Sequence, residues 1–384
     1  MKVYLDNSAT TALDKRVLDK MKPFMTNEYG NASSIHCMGQ EAAATLDNAR
    51  KTVAEILNAD TENIIFTGSA TESNNLIITG VARANKEKGN HILISQFEHP
   101  SVIEPAEQLK KEDFEIEFIP ITPEGFIDIG KFKALLRPET ILVSIMTVNS
   151  EIGTIQDIKE LSKITHDAGA LFHTDAVQAV PYCIPNVNDW NIDYLTLSSH
   201  KFNGPKGVGI AHINRKHKIQ PIIMGGGQEF GIRAGTYNIP GIVGAAEAIR
   251  LTYKERKEYI AQVRTLRDHM WKRMQEEIED VVLNGALEGR TPNNLNVRFE
   301  RVEGEAILME LSTHDICVST GSACSAENLK TSHVITALGT PEKYMNSNIR
   351  FTLGRTTTKE EIDYCILHLK ETVRRLRELS PLKK

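Results

Sequence analysis

Between about residues 40 and 215, short apolar runs alternate with segments of helical pattern, and this alternation constrains the fold more than any other feature. Strands that alternate with helices pair mainly in parallel, because each helix returns the chain to the edge where the previous strand began. Helices cover both faces of such a sheet. The pattern therefore predicts an α/β fold with a mostly parallel, seven-stranded sheet. The predicted strands are residues 64–67, 91–95, 114–120, 141–147, 171–175, 194–198 and 207–213.

The segments between these strands place apolar residues at helical spacing. In residues 40–57, for example, apolar side chains recur at positions 46, 49, 53, 56 and 57. Other helices are predicted to begin near Thr71 and to cover 101–111 and 155–168. The last two strands are joined by a connection too short for a crossover helix, so antiparallel pairing stays open for them.

A different pattern begins near Ile239. Residues 241–278 are almost continuously helical, and a short strand at 294–299 and a final helix at 359–376 follow. A single core stops growing near ~250–300 residues, so a chain of 384 residues is expected to form two domains. We predict a large domain of residues 13–250 and a smaller α+β domain formed by residues 1–12 and 251–384.

Charge and composition exclude several classes of protein. The formal net charge is −5 and no long basic run is present, so nucleic acid is not expected as a partner. Asp6 interrupts the apolar run that a secretory signal needs, and no stretch approaches the ~20 apolar residues of a membrane span. We therefore expect a cytoplasmic protein. The five cysteines form no C-x-x-C pair, so neither a disulfide framework nor a resident metal is predicted.

A turn of small residues at 67–72 follows a predicted strand and begins a helix. The first N–H groups of a helix lack intrahelical partners, and together with the helix dipole they suit a phosphate. The same residues also suit an ordinary helix cap, with Ser69 or Thr71 as the capping residue. Both interpretations stay open for this turn.

Asp175 ends a predicted buried strand, where a carboxylate costs free energy unless it meets a cation. A protonated pyridine nitrogen would be such a cation, and the carboxylate would make the ring a better electron sink. A structural ion pair with a lysine or arginine would satisfy Asp175 equally well, so this alternative also stays open.

Two further residues suggest covalent chemistry. Lys201 follows the strand at 194–198, and a lysine at the mouth of a sheet can form a Schiff base when its surroundings lower its pKa. Cys324 lies in a Gly/Ser-rich stretch at 319–325, where a thiol is expected to be exposed and therefore able to react. The alternatives are a solvated surface lysine and a loop cysteine without function.

Ordered motifs complete a pattern that runs through nearly the whole chain. They are YLDNSATT at 4–11, YGNASSIH at 29–36, ATESNN at 70–75, EH at 98–99, NSEIGTIQ at 149–156, DAVQ at 175–178, SHK at 199–201, GGGQE at 225–229, RAGT at 233–236, GSAC at 321–324 and RFTLGR at 350–355. With these motifs the chain resembles the cysteine desulfurases of iron–sulfur cluster assembly. They belong to the class-V aminotransferase family of fold-type I enzymes, which use pyridoxal 5′-phosphate (PLP).

The resemblance implies a role for each matching residue. Lys201 would carry the Schiff base, Asp175 would pair with the pyridine nitrogen and His99 would stack on the ring. Thr236 would reach the phosphate bound by a second subunit, which implies a homodimer. The cofactor-binding residues implied in this way are Ala70, Thr71, His99, Asn149, Asp175, Gln178, Ser198, His200, Lys201 and Thr236.

The resemblance also implies the reaction. Asn149 and Arg350 would bind the carboxylate of L-cysteine, and catalysis would depend on Cys324, Lys201 and His99. Sulfur would pass to Cys324 as a persulfide and then to an acceptor such as an iron–sulfur cluster scaffold protein, with Cys324 also a candidate for a transient cluster ligand. The rival hypotheses are an aminotransferase or selenocysteine lyase on the same fold, and a non-catalytic subunit of sulfur assembly.

Overall fold

The computed structural model describes residues 1–320 and 331–380. Its strands are β1 (Val3–Tyr4), β2 (Ile64–Thr67), β3 (His91–Ser95), β4 (Glu115–Ile119), β5 (Thr140–Ser144), β6 (Leu171–Asp175), β7 (Tyr194–Ser198), β8 (Gly209–Ile213), β9 (Val281–Leu283), β10 (Asn294–Phe299), β11 (Ile316–Cys317) and β12 (Asn348–Thr352). Its helices are α1 (Lys15–Thr26), α2 (Cys37–Leu57), α3 (Ala70–Asn85), α4 (Pro100–Leu109), α5 (Ile129–Leu135), α6 (Ile158–Asp167), α7 (Ile239–Glu277), α8 (Gly304–Thr313), α9 (His333–Ala337) and α10 (Lys359–Leu379). Within this described part of the chain, no helix combines the length and the apolar character needed to cross a membrane.

The central sheet has seven strands in the order β2-β8-β7-β6-β5-β3-β4. The pairs from β7 to β4 are parallel, whereas β8 runs antiparallel to both of its neighbours. Every residue of β3, β5, β7 and β8 is buried, as expected when helices cover both faces. The predicted α/β fold with a mostly parallel seven-stranded sheet is confirmed. The pair left open, β7 and β8, is antiparallel because no crossover helix separates the two strands.

The strand directions bring three functional segments to one edge of the sheet. Asp175 and Ser198 are the last residues of the parallel strands β6 and β7. Because β8 is antiparallel to both β7 and β2, strand β2 points in the same direction as β7 and ends at the same edge with Thr67. Ligands bind outside the carboxyl ends of strands in open α/β sheets, so this edge is where a site is expected.

A second hydrophobic core lies beyond the central sheet. Antiparallel strands β9, β10 and β12 pack with α8, α10 and the end of α7, and they bury Leu295, Ile307 and Ile366. Val3 and Leu5 from the start of the chain belong to this core, and β1 pairs in parallel with β11. The beginning of the chain is therefore held by residues more than 300 positions away.

Helix α7 joins the two cores. Ile239 and Ile249 near its start pack in the core of the central sheet, whereas Met270 and Met274 near its end pack in the second core. Asn238 caps the helix by accepting the Gly241 N–H at 3.1 Å. The predicted boundary at residue 250 falls inside this continuous helix, and the division into residues 13–250 and residues 1–12 with 251–384 stays a prediction.

Candidate active site

Asp175 is buried at the end of β6, and two uncharged groups donate hydrogen bonds to its carboxylate. The Val177 N–H donates to Oδ1 at 2.9 Å, and the Asn74 side-chain amide donates to Oδ2 at 2.8 Å. Neutral donors do not cancel the charge of a buried carboxylate, so a cationic partner would still stabilise it. This arrangement favours the pyridinium interpretation of Asp175 over the structural ion pair.

The amine of Lys201 contacts the N-terminal segment of the chain. Its Nζ donates to the carbonyl oxygens of Ser8 and Ala9, the second at 2.9 Å. The side-chain amide of Gln178 donates to the same Ser8 oxygen at 2.9 Å. Two predicted cofactor residues thus meet at one backbone carbonyl. Sequence reasoning gave Ser8 and Ala9 no role of their own, because nothing local signals a contact with residues more than 160 positions away.

His200 precedes Lys201 and lies on the same turn after β7. Its Nδ1 is 3.0 Å from the hydroxyl of Thr10. Burial, together with the charges of Lys201 and Lys206, lowers the pKa of His200 to about 4. The imidazole is therefore neutral at ordinary pH, and it can donate or accept a hydrogen bond beside the buried Ser198.

His99 is the N-terminal cap of α4 and is half-buried. Its Nδ1 accepts the Ser101 N–H at 3.1 Å. Burial lowers the pKa of His99; Lys201 and His333 also lower it, while Asp175 opposes them. His99 is therefore within electrostatic range of Lys201 and Asp175, and its predicted contact with the cofactor stays a prediction.

The turn before α3 is both a helix cap and a candidate phosphate site. The Ser69 hydroxyl accepts the Glu72 N–H at 3.1 Å, so Ser69 rather than Thr71 is the capping residue. Ala70 and Thr71 occupy the first turn of the helix, where N–H groups have no intrahelical acceptor. The two interpretations left open are therefore compatible, because the cap uses the Glu72 N–H.

Arg350 lies on β12 and is nearly buried. One of its nitrogens donates to Oδ1 of Asp6 at 2.8 Å, and another donates to the Ser150 carbonyl oxygen at 3.1 Å. The third, Nε, is buried without a hydrogen-bond partner among residues 1–320 and 331–380. An unsatisfied N–H on a buried guanidinium suits an incoming carboxylate.

Asn149 uses its side chain to shape the turn that follows it. Its Oδ1 accepts the N–H groups of Glu151 and Ile152, both at 2.9 Å, and its Nδ2 donates to the Phe97 carbonyl oxygen at 3.0 Å. Asn149 therefore joins the turn at 149–152 to the end of the segment after β3. Its predicted contacts with cofactor and substrate stay predictions.

Thr236 is exposed on the loop between β8 and α7. A buried ion pair holds this loop to α2, with Arg50 and Glu229 joined by nitrogen–oxygen distances of 2.7 and 2.9 Å. The sequence analysis missed this ion pair, and only the GGGQE motif around Glu229 pointed to the loop at all.

Two buried carboxyl groups were present in the motifs but received no role. Burial raises the pKa of Glu98 to about 8, and its Oε1 accepts the Met146 N–H at 2.6 Å. Burial also raises the pKa of Glu151, which accepts a hydrogen bond from the Ser332 hydroxyl at 2.7 Å. The sequence alone did not distinguish these buried acids from exposed ones.

Comparisons with known proteins agree with this geometry. The family model described as Aminotransferase class-V matches residues 3–365. The chain is 47% identical over 381 residues to Cysteine desulfurase IscS of Dictyoglomus turgidum, covering 99% of this chain and 97% of that protein. It is 44% identical over 383 residues to a probable mitochondrial cysteine desulfurase of Dictyostelium discoideum, covering 99% of this chain and 85% of that protein.

The chain belongs to the cysteine desulfurase family.

Solved structures of the family share the fold. A NifS-like protein has a TM-score of 0.92 and 36% identity, with 98% of this chain and all of that chain covered. A structure described as SspA in complex with cysteine has a TM-score of 0.82 and 32% identity, with 92% of this chain and 99% of that chain covered. The predicted family, fold class and enzyme class are confirmed.

Cysteine desulfurases of this family are PLP enzymes, and the residues described above fit that cofactor. The Asp175 carboxylate accepts hydrogen bonds from the uncharged Asn74 amide and Val177 N–H, and it suits a pyridinium nitrogen. The first turn of α3 suits a phosphate, and Lys201 supplies an amine at the same edge of the sheet. PLP is therefore the cofactor of this chain, as predicted. Cys324 lies outside the described residues, and its role stays a prediction.

Proposed function

We propose that this chain converts L-cysteine to L-alanine and transfers the sulfur to Cys324 as a persulfide. The observation that carries the proposal is the buried Asp175 carboxylate, held by neutral donors and interacting electrostatically with His99 at the edge where Lys201 follows β7. The relative solved with cysteine supports L-cysteine as the substrate.

The proposed cofactor contacts follow from chemical type and position. When bound, PLP would withdraw electrons from the substrate carbon next to the amine. Asp175 would keep the ring nitrogen protonated, and His99 would lie against the ring. Lys201 would bond to the cofactor, and Gln178 would donate to its ring hydroxyl. The proposed phosphate contacts within one subunit are Ala70, Thr71, Ser198 and His200. A second subunit would add its Thr236.

Arg350 is proposed to bind the carboxylate of L-cysteine. Its Nε is an unsatisfied buried donor in the described part of the chain, and one of its terminal nitrogens pairs with Asp6. The substrate would use the free donor and displace Asp6 from the other, forming a two-pronged contact. Asn149 would support this subsite from the turn that also supplies the Ser150 carbonyl oxygen.

We propose that Lys201 carries out the proton transfer at Cα and that Cys324 carries out the sulfur transfer. The Lys201 amine would remove the proton from the substrate Cα. The Cys324 thiolate would attack the substrate sulfur, so that a sulfur–sulfur bond forms as the carbon–sulfur bond breaks. The electron pair of the broken bond stays with carbon, which gains a proton to give alanine. His99 would transfer protons near the substrate thiol.

The direct test uses the full chain with PLP and L-cysteine. We expect alanine to appear, and we expect a brief exposure to cysteine to add the mass of one sulfur atom to a peptide that contains Cys324. Alanine without added sulfur on the protein, or sulfur on a different cysteine, would contradict the proposal. Failure to form alanine from a fully PLP-loaded protein would reject it outright.

We also propose that the chain acts as a cytoplasmic homodimer that passes sulfur to an iron–sulfur cluster scaffold protein. Large apolar side chains are exposed at Ile35, which is 93% exposed, and at Met224, which is 78% exposed. An interface between two chains would remove such side chains from water. Thr236 is exposed on the same loop as Met224, which supports its proposed reach into a second subunit. The name IscS, shared by several relatives, supports the scaffold as acceptor.

A further inference from the structure

His99 and Asp175 are joined by a chain of hydrogen bonds through two residues without an assigned role. The side-chain nitrogen of Asn74 lies 2.8 Å from Oδ2 of Asp175 and 2.8 Å from Oγ of Ser101. The Ser101 oxygen in turn lies 2.8 Å from Nδ1 of His99. Asn74 is fully buried and Ser101 is 7% exposed, so water does not compete with these contacts.

The direction of each hydrogen bond follows from the number of hydrogens available. An ionised carboxylate can only accept, so Asn74 donates one amide hydrogen to Asp175 and the other to Ser101. The Ser101 hydroxyl accepts from Asn74, so it donates its one hydrogen to its other hydrogen-bond partner, Nδ1 of His99. The Ser101 backbone N–H, which can only donate, also points to Nδ1 at 3.1 Å. Nδ1 therefore carries a lone pair.

The orientation of the Asn74 amide is fixed by the same reasoning. If the amide were reversed, its oxygen would face the Asp175 carboxylate, and two acceptors would repel each other. In the observed orientation the oxygen, Oδ1, is buried without a hydrogen-bond partner within residues 1–320 and 331–380. A buried acceptor without a partner costs free energy, so this series of hydrogen bonds is formed at some cost in local stability.

We propose that Ser101 and Asn74 are positioning residues that hold His99 in the neutral tautomer with its hydrogen on Nε2. In this tautomer His99 offers the substrate a hydrogen-bond donor at Nε2, and it cannot take up a proton at Nδ1 while two donors point there. The consequence for the reaction rests on the proposed function. The tautomer itself does not, because it follows from contacts within the chain.

The charged groups around His99 come from several elements. Asp175 at the end of β6 favours the protonated imidazole, whereas Lys201 after β7 and His333 at the start of α9 disfavour it. Glu98 precedes His99 in the chain and is buried. Replacing Ser101 with alanine leaves these four titratable side chains unchanged and removes one hydrogen-bond donor to Nδ1 of His99. A change in the titration of His99 can then be attributed to the hydrogen-bond chain.

The test is NMR of histidine labelled with ¹³C in the full chain with PLP bound and without substrate. The His99 resonance is assigned by its loss in His99→Gln. In the wild-type protein we expect the ¹³Cδ2 shift of the Nε2–H tautomer. In Ser101→Ala we expect the acid dissociation constant of His99 to fall roughly fivefold, because the neutral form loses one hydrogen bond.

Two variants serve as controls. Ser101→Thr keeps the hydroxyl and should restore the wild-type titration. Ser162→Ala also removes a buried helical serine, whose hydroxyl donates to the Asn191 carbonyl oxygen at 2.7 Å, and it should leave the titration of His99 unchanged. In the alanine assay, the acidic limb of the pH profile of kcat/KM should move to higher pH in Ser101→Ala alone.

The Nδ1–H tautomer in the wild-type protein would overturn the proposal, even if Ser101→Ala does not fold. An acid dissociation constant that differs less than about twofold between Ser101→Ala and wild type would also overturn it. Both measurements are made without substrate. They therefore separate a failure of this inference from a failure of the proposed reaction, which the alanine assay tests.

Discussion

Glu98 is a buried carboxyl group that keeps its proton into the neutral pH range, because burial raises its pKa to about 8. In an unfolded chain the same group ionises near pH ~4.3. Between these values the folded state binds more protons than the unfolded state. Through this group, stability therefore falls as pH rises across this window, and it is constant above the folded pKa.

We expect Glu98→Gln to weaken this pH dependence, since glutamine keeps an acceptor for the Met146 N–H but cannot ionise. Between about pH 5.5 and 8 the wild-type protein should lose on the order of a few kcal/mol through Glu98, and the variant should not. Urea unfolding at both pH values measures this. The control is Glu104→Gln, which changes an exposed carboxylate. Parallel pH dependences for Glu98→Gln and wild type would contradict the expectation.

Cys324 is the residue whose removal should stop the reaction without disturbing the cofactor. Cys324→Ala is expected to bind PLP normally, because Lys201, Asp175 and His99 are unchanged. It should form alanine from L-cysteine at least roughly a hundredfold more slowly, because a thiolate is needed to attack the substrate sulfur. Alanine release and the visible spectrum are measured together. Cys37→Ala, which removes an exposed thiol, should behave as wild type, and equal rates in both variants would disprove the role of Cys324.

At the scale of elements, the start of α3 has two roles. Ser69 caps the helix, and the N–H groups of its first turn are proposed to bind phosphate. We expect Ser69→Ala to lower the free energy of unfolding by about 1 kcal/mol, the usual value of such a cap. It should also weaken PLP binding, because the N–H groups of the turn lose their fixed direction. Urea unfolding and a PLP titration measure the two effects.

A matched control comes from a helix elsewhere in the sheet domain. Asp128 caps α5 by accepting the Lys131 N–H at 3.0 Å. Asp128→Ala should lower stability by a similar amount while leaving the affinity for PLP unchanged. If both variants weaken PLP binding equally, the effect of Ser69→Ala reflects stability alone, and α3 has no special role in binding phosphate.

For the whole molecule, the exposed apolar side chains before α2 and after β8 predict an interface between two copies. Wild-type protein should sediment with the mass of two chains. Ile35→Asp should shift the mass to one chain, because a buried unpaired charge is costly at an interface. PLP should then bind less tightly if Thr236 contacts the phosphate of the partner. Sedimentation velocity and a PLP titration are the measurements.

Met309→Asp is the control for that experiment. Met309 is 71% exposed on α8, and α8 packs against α10, β11 and β12 in the second core. Met309 is also distant from Ile35 and Met224 in the sequence. It should leave both the mass and the affinity for PLP unchanged. A wild-type protein with the mass of one chain and full activity would remove the basis for a shared site.

The sequence alone determined the order and type of most elements, because these depend on local patterns. All seven strands of the central sheet end within three residues of their predicted ends, and all but β4 and β5 end at the predicted residue. The spacing of apolar residues placed Asp175 and Lys201 at strand ends, and the resemblance to a known family added His99 to the same site. Side-chain periodicity carries this information over a few neighbouring residues.

The tertiary structure decided which distant residues meet. The pairs Asp6–Arg350 and Asn74–Asp175 are 344 and 101 positions apart in the chain, and no local pattern predicts either. Only the folded chain brings the N-terminal segment to Lys201, buries Glu98 and aligns Ser101 between Asn74 and His99. The physical reason is that burial and hydrogen-bond partners depend on the packing of whole elements, whereas periodicity records only which face of each element is apolar.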